Sequence, residues 1–194
     1  MARPRAFDID AVLESAMQTF WAKGYEATSL DDLCESTGLG RSSLYAAFGD
    51  KRAVYLRALD RYEQRAAARL AEALSGQQTI REAFGAFLGR IVDDIVSGPG
   101  RRGCFIGNCA AELPRGDREA ATQVRGSLAR VEKTIHEALA RAKARGEIGR
   151  RADVTALSRY FTAGIQGLRL VGKANPDRKL LQDIAQTMLR PLDL

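Results

Sequence analysis

The chain has 194 residues, 45% of them hydrophobic and 28% charged, an ordinary globular composition with enough length to bury a core in one or two domains. It contains no run of ~18 uncharged apolar residues, and its N-terminal Met-Ala-Arg-Pro-Arg lacks the apolar segment of a secretory signal, so neither a membrane span nor export is expected. Three cysteines, Cys34, Cys104 and Cys109, are too few and too irregular for a disulfide scaffold, which suggests a cytoplasmic chain with reduced thiols; the net charge of +6 suits a polyanionic partner.

Arg3 and Arg5 form a short basic arm, either a frayed terminus or a minor-groove or phosphate contact. Asp8 can cap a first helix whose apolar residues are Val12, Leu13, Ala16, Met17 and Phe20, with Phe7 stapled onto Val12 and Gly24 as terminator. The stretch from Thr28 to Lys51 spells two short helices with a tight break. Leu30, Leu33 and Cys34 fall on one face of the first, which makes Cys34 a core residue. Thr28 or Ser29 caps its start, with Asp31 or Asp32 completing a box. Gly38 and Gly40 flank Leu39 where the backbone must turn sharply. The second helix, about Arg41 to Ala47, buries Leu44 and Phe48 and leaves Arg41, Ser42, Ser43, Tyr45 and Ala46 on its rim. This is the layout of a helix-turn-helix, whose second helix enters the DNA major groove by its N-terminal end. An arginine fork and two small hydroxyls there can bond base edges or phosphate oxygens. Up to Arg52 the chain carries six basic against eight acidic residues, so DNA binding must rest on the placement of charge, not on its total.

Asp50 caps the next helix, and Lys51 at its start could hold a phosphate beside free N–H groups. That helix runs to about Leu74, long enough to leave a DNA-binding unit of residues 1–50 and join a second domain of residues 51–194. Thr79 and Glu82 box a helix bearing Phe84, Phe87, Leu88, Ile91, Val92 and Ile95, and Gly98-Pro99-Gly100 breaks the chain. A short apolar helix follows from Gly103 to Leu113, ended by Pro114 and Gly116; Asp117 then caps a long one to about Arg145, striped by Val124, Leu128, Val131, Ile135 and Leu139. The last two helices are predicted from Asp153 to about Val171 and from Pro176, at a first helical position, to about Arg190, with Leu180, Leu181, Ile184, Met188 and Leu189 as the final apolar face. No strand pattern or repeat interrupts this all-α chain of about nine helices.

Three segments, Gly24-Tyr25-Glu26-Ala27-Thr28-Ser29-Leu30, Thr37-Gly38-Leu39-Gly40-Arg41-Ser42-Ser43-Leu44-Tyr45 and Phe48-Gly49-Asp50-Lys51, resemble the signature of the tetracycline-repressor (TetR) family of bacterial regulators. The match runs from about Phe7 to Leu59; beyond it only helical character and length agree. Gly40 stands where a hydroxyl cap is frequent and Ala47 where a larger phosphate-contacting side chain is frequent. The resemblance implies an N-terminal three-helix DNA-binding domain, a C-terminal helical effector-binding domain, and a homodimer through the last two helices. It further implies a palindromic double-stranded DNA operator and repression relieved by a small-molecule effector. DNA contacts are then expected from Arg3, Arg5, Thr28, Ser29, Arg41, Ser42, Ser43, Tyr45 and Lys51. An effector pocket would draw on Phe84, Leu88, Ile91, Cys104, Phe105, Asn108 and Phe161, each of which can equally be plain core.

Cys104 opens a helix just after Arg101 and Arg102, where dipole and charge favour a reactive thiolate, as in TetR-like repressors that sense electrophiles or oxidants; the alternative is a small buried hydrophobe. Cys104 and Cys109 are five apart and face different ways on a helix. Catalysis has little to work with: His136 stands alone on a charged helix, and no Gly-rich phosphate loop or G-x-S-x-G elbow occurs. No catalytic residue, metal or cofactor is expected. A ligand-independent nucleoid-associated or architectural DNA binder on the same scaffold is the alternative function, and a small all-α enzyme a third.

Overall fold

A computed structural model describes residues 7–76, 78–112 and 117–193, so the arm residues Arg3 and Arg5 and the breakers Pro114 and Gly116 lie outside the described residues. Within them the chain forms nine α-helices and no strand: α1 Ile9–Lys23, α2 Leu30–Thr37, α3 Arg41–Phe48, α4 Lys51–Ala73, α5 Ile80–Ser97, α6 Phe105–Glu112, α7 Arg118–Ala144, α8 Val154–Ala174 and α9 Arg178–Leu189. A 3-10 turn, Pro99–Arg102, links α5 to α6, and a second, Arg190–Leu192, follows α9.

Side-chain caps start most of these helices by accepting N–H groups that have no intrahelical partner. Asp8, Asp50, Asp117 and Asp153 do so for α1, α4, α7 and α8. Reciprocal boxes, Ser29 with Asp32 and Thr79 with Glu82, open α2 and α5. Gly38 ends α2 in the left-handed region at φ 69°, where a Cβ would be strained, and this bend sets the angle of α3. At α9 the structure differs from expectation. Pro176 precedes the helix, and Asp177 is the cap, accepting from the Leu180 N–H, because a carboxylate oxygen satisfies a free donor that proline cannot. At the other end of α8, the helix extends past Val171 to Ala174.

Two hydrophobic cores result. The first gathers α1, α2, α3 and the N-terminal part of α4 around Phe20, Leu33, Leu44 and Leu59, and includes Phe105, Ile106 and Cys109 from α6. Its rings meet edge-on: Phe20 with Tyr55 at 5.0 Å, and Phe105 with Tyr55 at 5.5 Å and Tyr62 at 5.7 Å. The second core, between α5, α7, α8 and α9, is aliphatic around one stacked pair, Phe84 and Phe161 at 4.2 Å. There α8 approaches α5 so closely at Gly172 that an added Cβ would lie 2.7 Å from Ile95. Two apolar assignments change. Cys34 is only half-buried, because α2 sits at the molecular edge, and Leu180 is exposed, because Asp177 starts α9 with that residue turned outward.

Candidate nucleic-acid interface and junction cleft

Helix α3 is held from below by Leu44 and Phe48, both buried, while Arg41, Ser42, Ser43, Tyr45 and Ala46 are exposed on its other faces. Tyr45 is 44% exposed, an unusual position for an aromatic ring. Gly40 supplies no side-chain bond, so the first-turn amides of α3 have no side-chain cap to compete with an external acceptor. The Arg41 guanidinium reaches back to α2, where Nη2 lies 2.6 Å and Nε 3.1 Å from Asp31 Oδ1. Both side chains are solvent-exposed, so the pair is weak and can open for a stronger acceptor. Ser29 is exposed, its hydroxyl accepting the Asp32 N–H. Lys51 lies at the start of α4 with its Nζ 4.4 Å from the centre of the Tyr25 ring.

Thr28 is a correction. It is buried, and its hydroxyl donates to the Gly24 carbonyl at 2.6 Å, so its side chain bridges the α1–α2 turn and is not available to DNA.

Further up, α1, α4, α5, the Pro99–Arg102 turn and α8 enclose a cleft of ≈ 580 Å³. Trp21, Tyr62 and Phe87 face it beside Arg65, Arg69, Arg90, Arg102 and Arg169, with Glu72 and Asp94 the carboxylates. Trp21 packs edge-on to Tyr62 at 5.0 Å and donates its indole N–H to the Gly103 carbonyl at 3.2 Å. Arg102 sits 5.3 Å from the Trp21 ring and donates to Gln18 Oε1 at 2.6 Å. Glu14 ties α1 to α4: burial alone would raise its pKa, but bonds from Gln18, Arg61 and Arg65 outweigh that and lower it.

Behind the wall of Tyr62, Ala66, Phe87 and Arg169 lies a smaller cavity of ≈ 60 Å³. It is lined by Glu63, Ser127 and Gln166, and Glu63 Oε2, Ser127 Oγ and Gln166 Oε1 are buried with no hydrogen-bond partner among the described residues. The other Glu63 oxygen accepts from Arg130. Orphaned buried oxygens of this kind are costly, and three around one cavity mark a place where donors are wanted.

Of the residues expected around an effector, Ile91 lines the cleft and Cys104 the inner cavity. The others line neither. Phe84, Leu88, Phe105 and Phe161 are packed fully inside, since apolar stripes of helices meeting on several sides leave no free face. Asn108 braces the turn before α6, donating to the Arg102 carbonyl at 2.8 Å and accepting from Lys173 at 3.1 Å. Cys104 precedes α6 and is buried, with the Tyr62 hydroxyl donating to its Sγ at 3.8 Å. Of the two arginines expected to act on that thiol, Arg101 and Arg102, the second points instead to Gln18 and Trp21. Burial pushes the Cys109 thiol up, against the opposing hydrogen bond of Tyr55.

Residues 12–58 match the model of the bacterial regulatory proteins of the tetR family, and residues 76–188 match the tetracyclin repressor-like C-terminal domain. The chain belongs to the TetR family. It is 35% identical over 189 residues to the HTH-type transcriptional repressor ComR of Escherichia coli K12, covering 97% of this chain and 90% of ComR. The regulator YezE of Bacillus subtilis 168 is 32% identical over the full length of both chains. A cysteine mutant of the TetR-family regulator CifR, complexed with 26-bp operator DNA, superposes with a TM-score of 0.87 at 28% identity, covering 97% of this chain and 98% of CifR. Reduced Escherichia coli NemR, at 17% identity and a TM-score of 0.81, shares the fold over 92% of this chain and 94% of its own. TetR-family proteins are DNA-binding transcriptional regulators, not enzymes, and no helix among the described residues is long and apolar enough to cross a membrane.

Sequence reasoning missed the junction of this TetR-family chain. One signal was present: Glu63 shares a helix face with Leu59, Ala66 and Leu70, a carboxylate at a buried register position. The approach of Trp21, Phe87 and Arg169, from three distant segments, left no local trace.

Proposed function

We propose that the chain is a homodimeric repressor that holds a palindromic operator with one α3 from each protomer and releases it when a small-molecule effector binds. The carrying observation is the α3 rim, where Arg41, Ser42, Ser43 and Tyr45 protrude together above a buried Leu44 and Phe48. Arginine forks and small hydroxyls at the front of a recognition helix are suited to base edges and phosphates. A dimer is supported by the placement of exposed apolar side chains. Among the described residues five large hydrophobics are exposed: Tyr45, and Tyr160, Leu170, Val171 and Leu180, which all lie on α8 and α9. On α8 they share an exposed stripe with Ala156, Ala163, Gly167 and Ala174. Such a surface is the kind that a second copy covers.

The cleft and inner cavity support an effector-responsive regulator over an architectural binder, which needs no internal space. Within this reading Cys104, facing the inner cavity, is a point where a thiol-reactive signal would act. Unchanged operator affinity in a Cys104-modified sample removes that branch.

The test is to capture genomic fragments with the protein and footprint the bound ones. Two protected half-sites related by a twofold axis, about 34–36 Å or one DNA turn apart, are expected. A single unpaired patch, or protection without sequence preference, overturns the proposal in favour of the architectural reading.

A further inference from the structure

We infer that the junction cleft takes an organic anion with a flat apolar body, an aromatic carboxylate in its simplest form, and that this anion is the effector; the second half rests on the effector-responsive reading above. The volume of ≈ 580 Å³ is that of a small-molecule site. Five guanidinium groups against two carboxylates give it a positive field. Arg65 is committed to Glu14, and Arg102 to Gln18. Arg69, Arg90 and Arg169 have no ion-pair partner among the described residues, so their forks are available without breaking a bond to an acid. Arginine forks match the two oxygens of a carboxylate. Trp21, Tyr62, Phe87, Met17 and Ile91 supply flat and aliphatic surface between these charges. A metal ion is a poor occupant, since no group of three His, Cys, Asp or Glu among the described residues could hold one.

The position of the cleft couples occupancy to DNA. Helix α1 contributes Phe20 to the DNA-binding core and Met17, Gln18 and Trp21 to the cleft wall, while α5 and α8 form the opposite side. Two of the bonds that close the junction lie at the cleft, Arg102 to Gln18 and Trp21 to the Gly103 carbonyl. A ligand carboxylate is a stronger acceptor for Arg102 than the Gln18 amide oxygen. An anion that draws Arg102 away removes one of these ties and leaves α1 held there by the Trp21–Gly103 bond alone, which favours a conformation with a different tilt of α1 and hence of α3.

Trp21 is the only tryptophan in the chain, so its fluorescence reports the cleft directly. The protein is titrated with phenylacetate, benzoate and cinnamate, each beside its neutral amide, with operator affinity measured in parallel. The acids should change Trp21 fluorescence saturably, bind about tenfold or more tighter than their amides, and weaken operator binding. Arg169→Gln and Arg90→Gln should each lose about tenfold in acid affinity, whereas Arg81→Gln, whose partner is Asp193 outside the cleft, should not. Arg90 is exposed, so its variant folds even where Arg169→Gln does not. Amides that bind as well as acids, inorganic phosphate that reproduces the signal, or no response to any acid overturn the anion site. Acids that bind without altering operator affinity overturn the effector role and leave the site standing. Operator release by a metabolite extract with no Trp21 change overturns the site and leaves the effector-responsive reading standing.

Discussion

The two cores solve the same packing problem in different ways. The N-terminal core is aromatic, with Phe20, Tyr55, Tyr62 and Phe105 meeting edge-on, and one of those rings is lent by α6 from more than forty residues beyond α4's share. The C-terminal core is mostly aliphatic, assembled from long helices around the Phe84–Phe161 stack. The cleft and the inner cavity both lie along the seam between them, with Tyr62 on one side and Phe87 on the other. The helix-turn-helix is therefore not insulated from the C-terminal body. Trp21 and Tyr25 bond to Gly103 and Glu112, so the DNA-binding core cannot relax without moving the body.

The largest effect should come from breaking that loan. Phe105→Ala is expected to cost ~3–5 kcal/mol, in a single thermal transition seen alike by Trp21 fluorescence and by far-ultraviolet circular dichroism. Two separated transitions would show that the cores unfold independently. Overpacking tests the C-terminal side. Gly172→Ala should destabilise by ~1–3 kcal/mol, because its Cβ would meet Ile95 at 2.7 Å. Gly89→Ala, with nothing within 4 Å of the added carbon, should not destabilise; equal losses in chemical denaturation would refute the close α5–α8 approach. Ser29→Ala should cost ~1 kcal/mol through the α2 cap, with faster amide exchange confined to α2 and its neighbours.

The smallest effect concerns Asp32. Bonds from Lys23 and from the Ser29 backbone and hydroxyl lower its pKa to about 2. A carboxyl depressed on folding stabilises fully above its unfolded value and loses that contribution as pH falls through the folded one, here between about 4 and about 2. A carbon-detected titration of the Asp32 carboxyl should therefore show its midpoint near 2; a midpoint near 4 would mean the capping box is open in solution.

Much of this was legible in the sequence for physical reasons. Capping residues declare themselves locally, and the Ser29–Asp32 and Thr79–Glu82 boxes form as their spacing implies. Helical periodicity found Leu44 and Phe48 under α3, and so left Arg41, Ser42, Ser43 and Tyr45 on the outside. The failures share one cause. Thr28 has the hydroxyl of a DNA contact, yet a fold-back onto Gly24 consumes it. Phe84, Leu88, Phe105 and Phe161 look like pocket walls, but whether an apolar stripe faces a neighbour or a void depends on how helices far apart in sequence meet. The cleft itself joins Trp21, Phe87 and Arg169, a relation with no periodic signature.

The central claim is that the α3 rim reads DNA from each half of a twofold molecule. The most direct test takes a footprinted genomic fragment and measures its binding by wild type, Arg41→Ala and Tyr45→Ala while sedimentation follows the oligomeric state. Both variants are expected to remain dimers and to lose specific binding. Dimers of either variant that bind the fragment with wild-type affinity would contradict the claim.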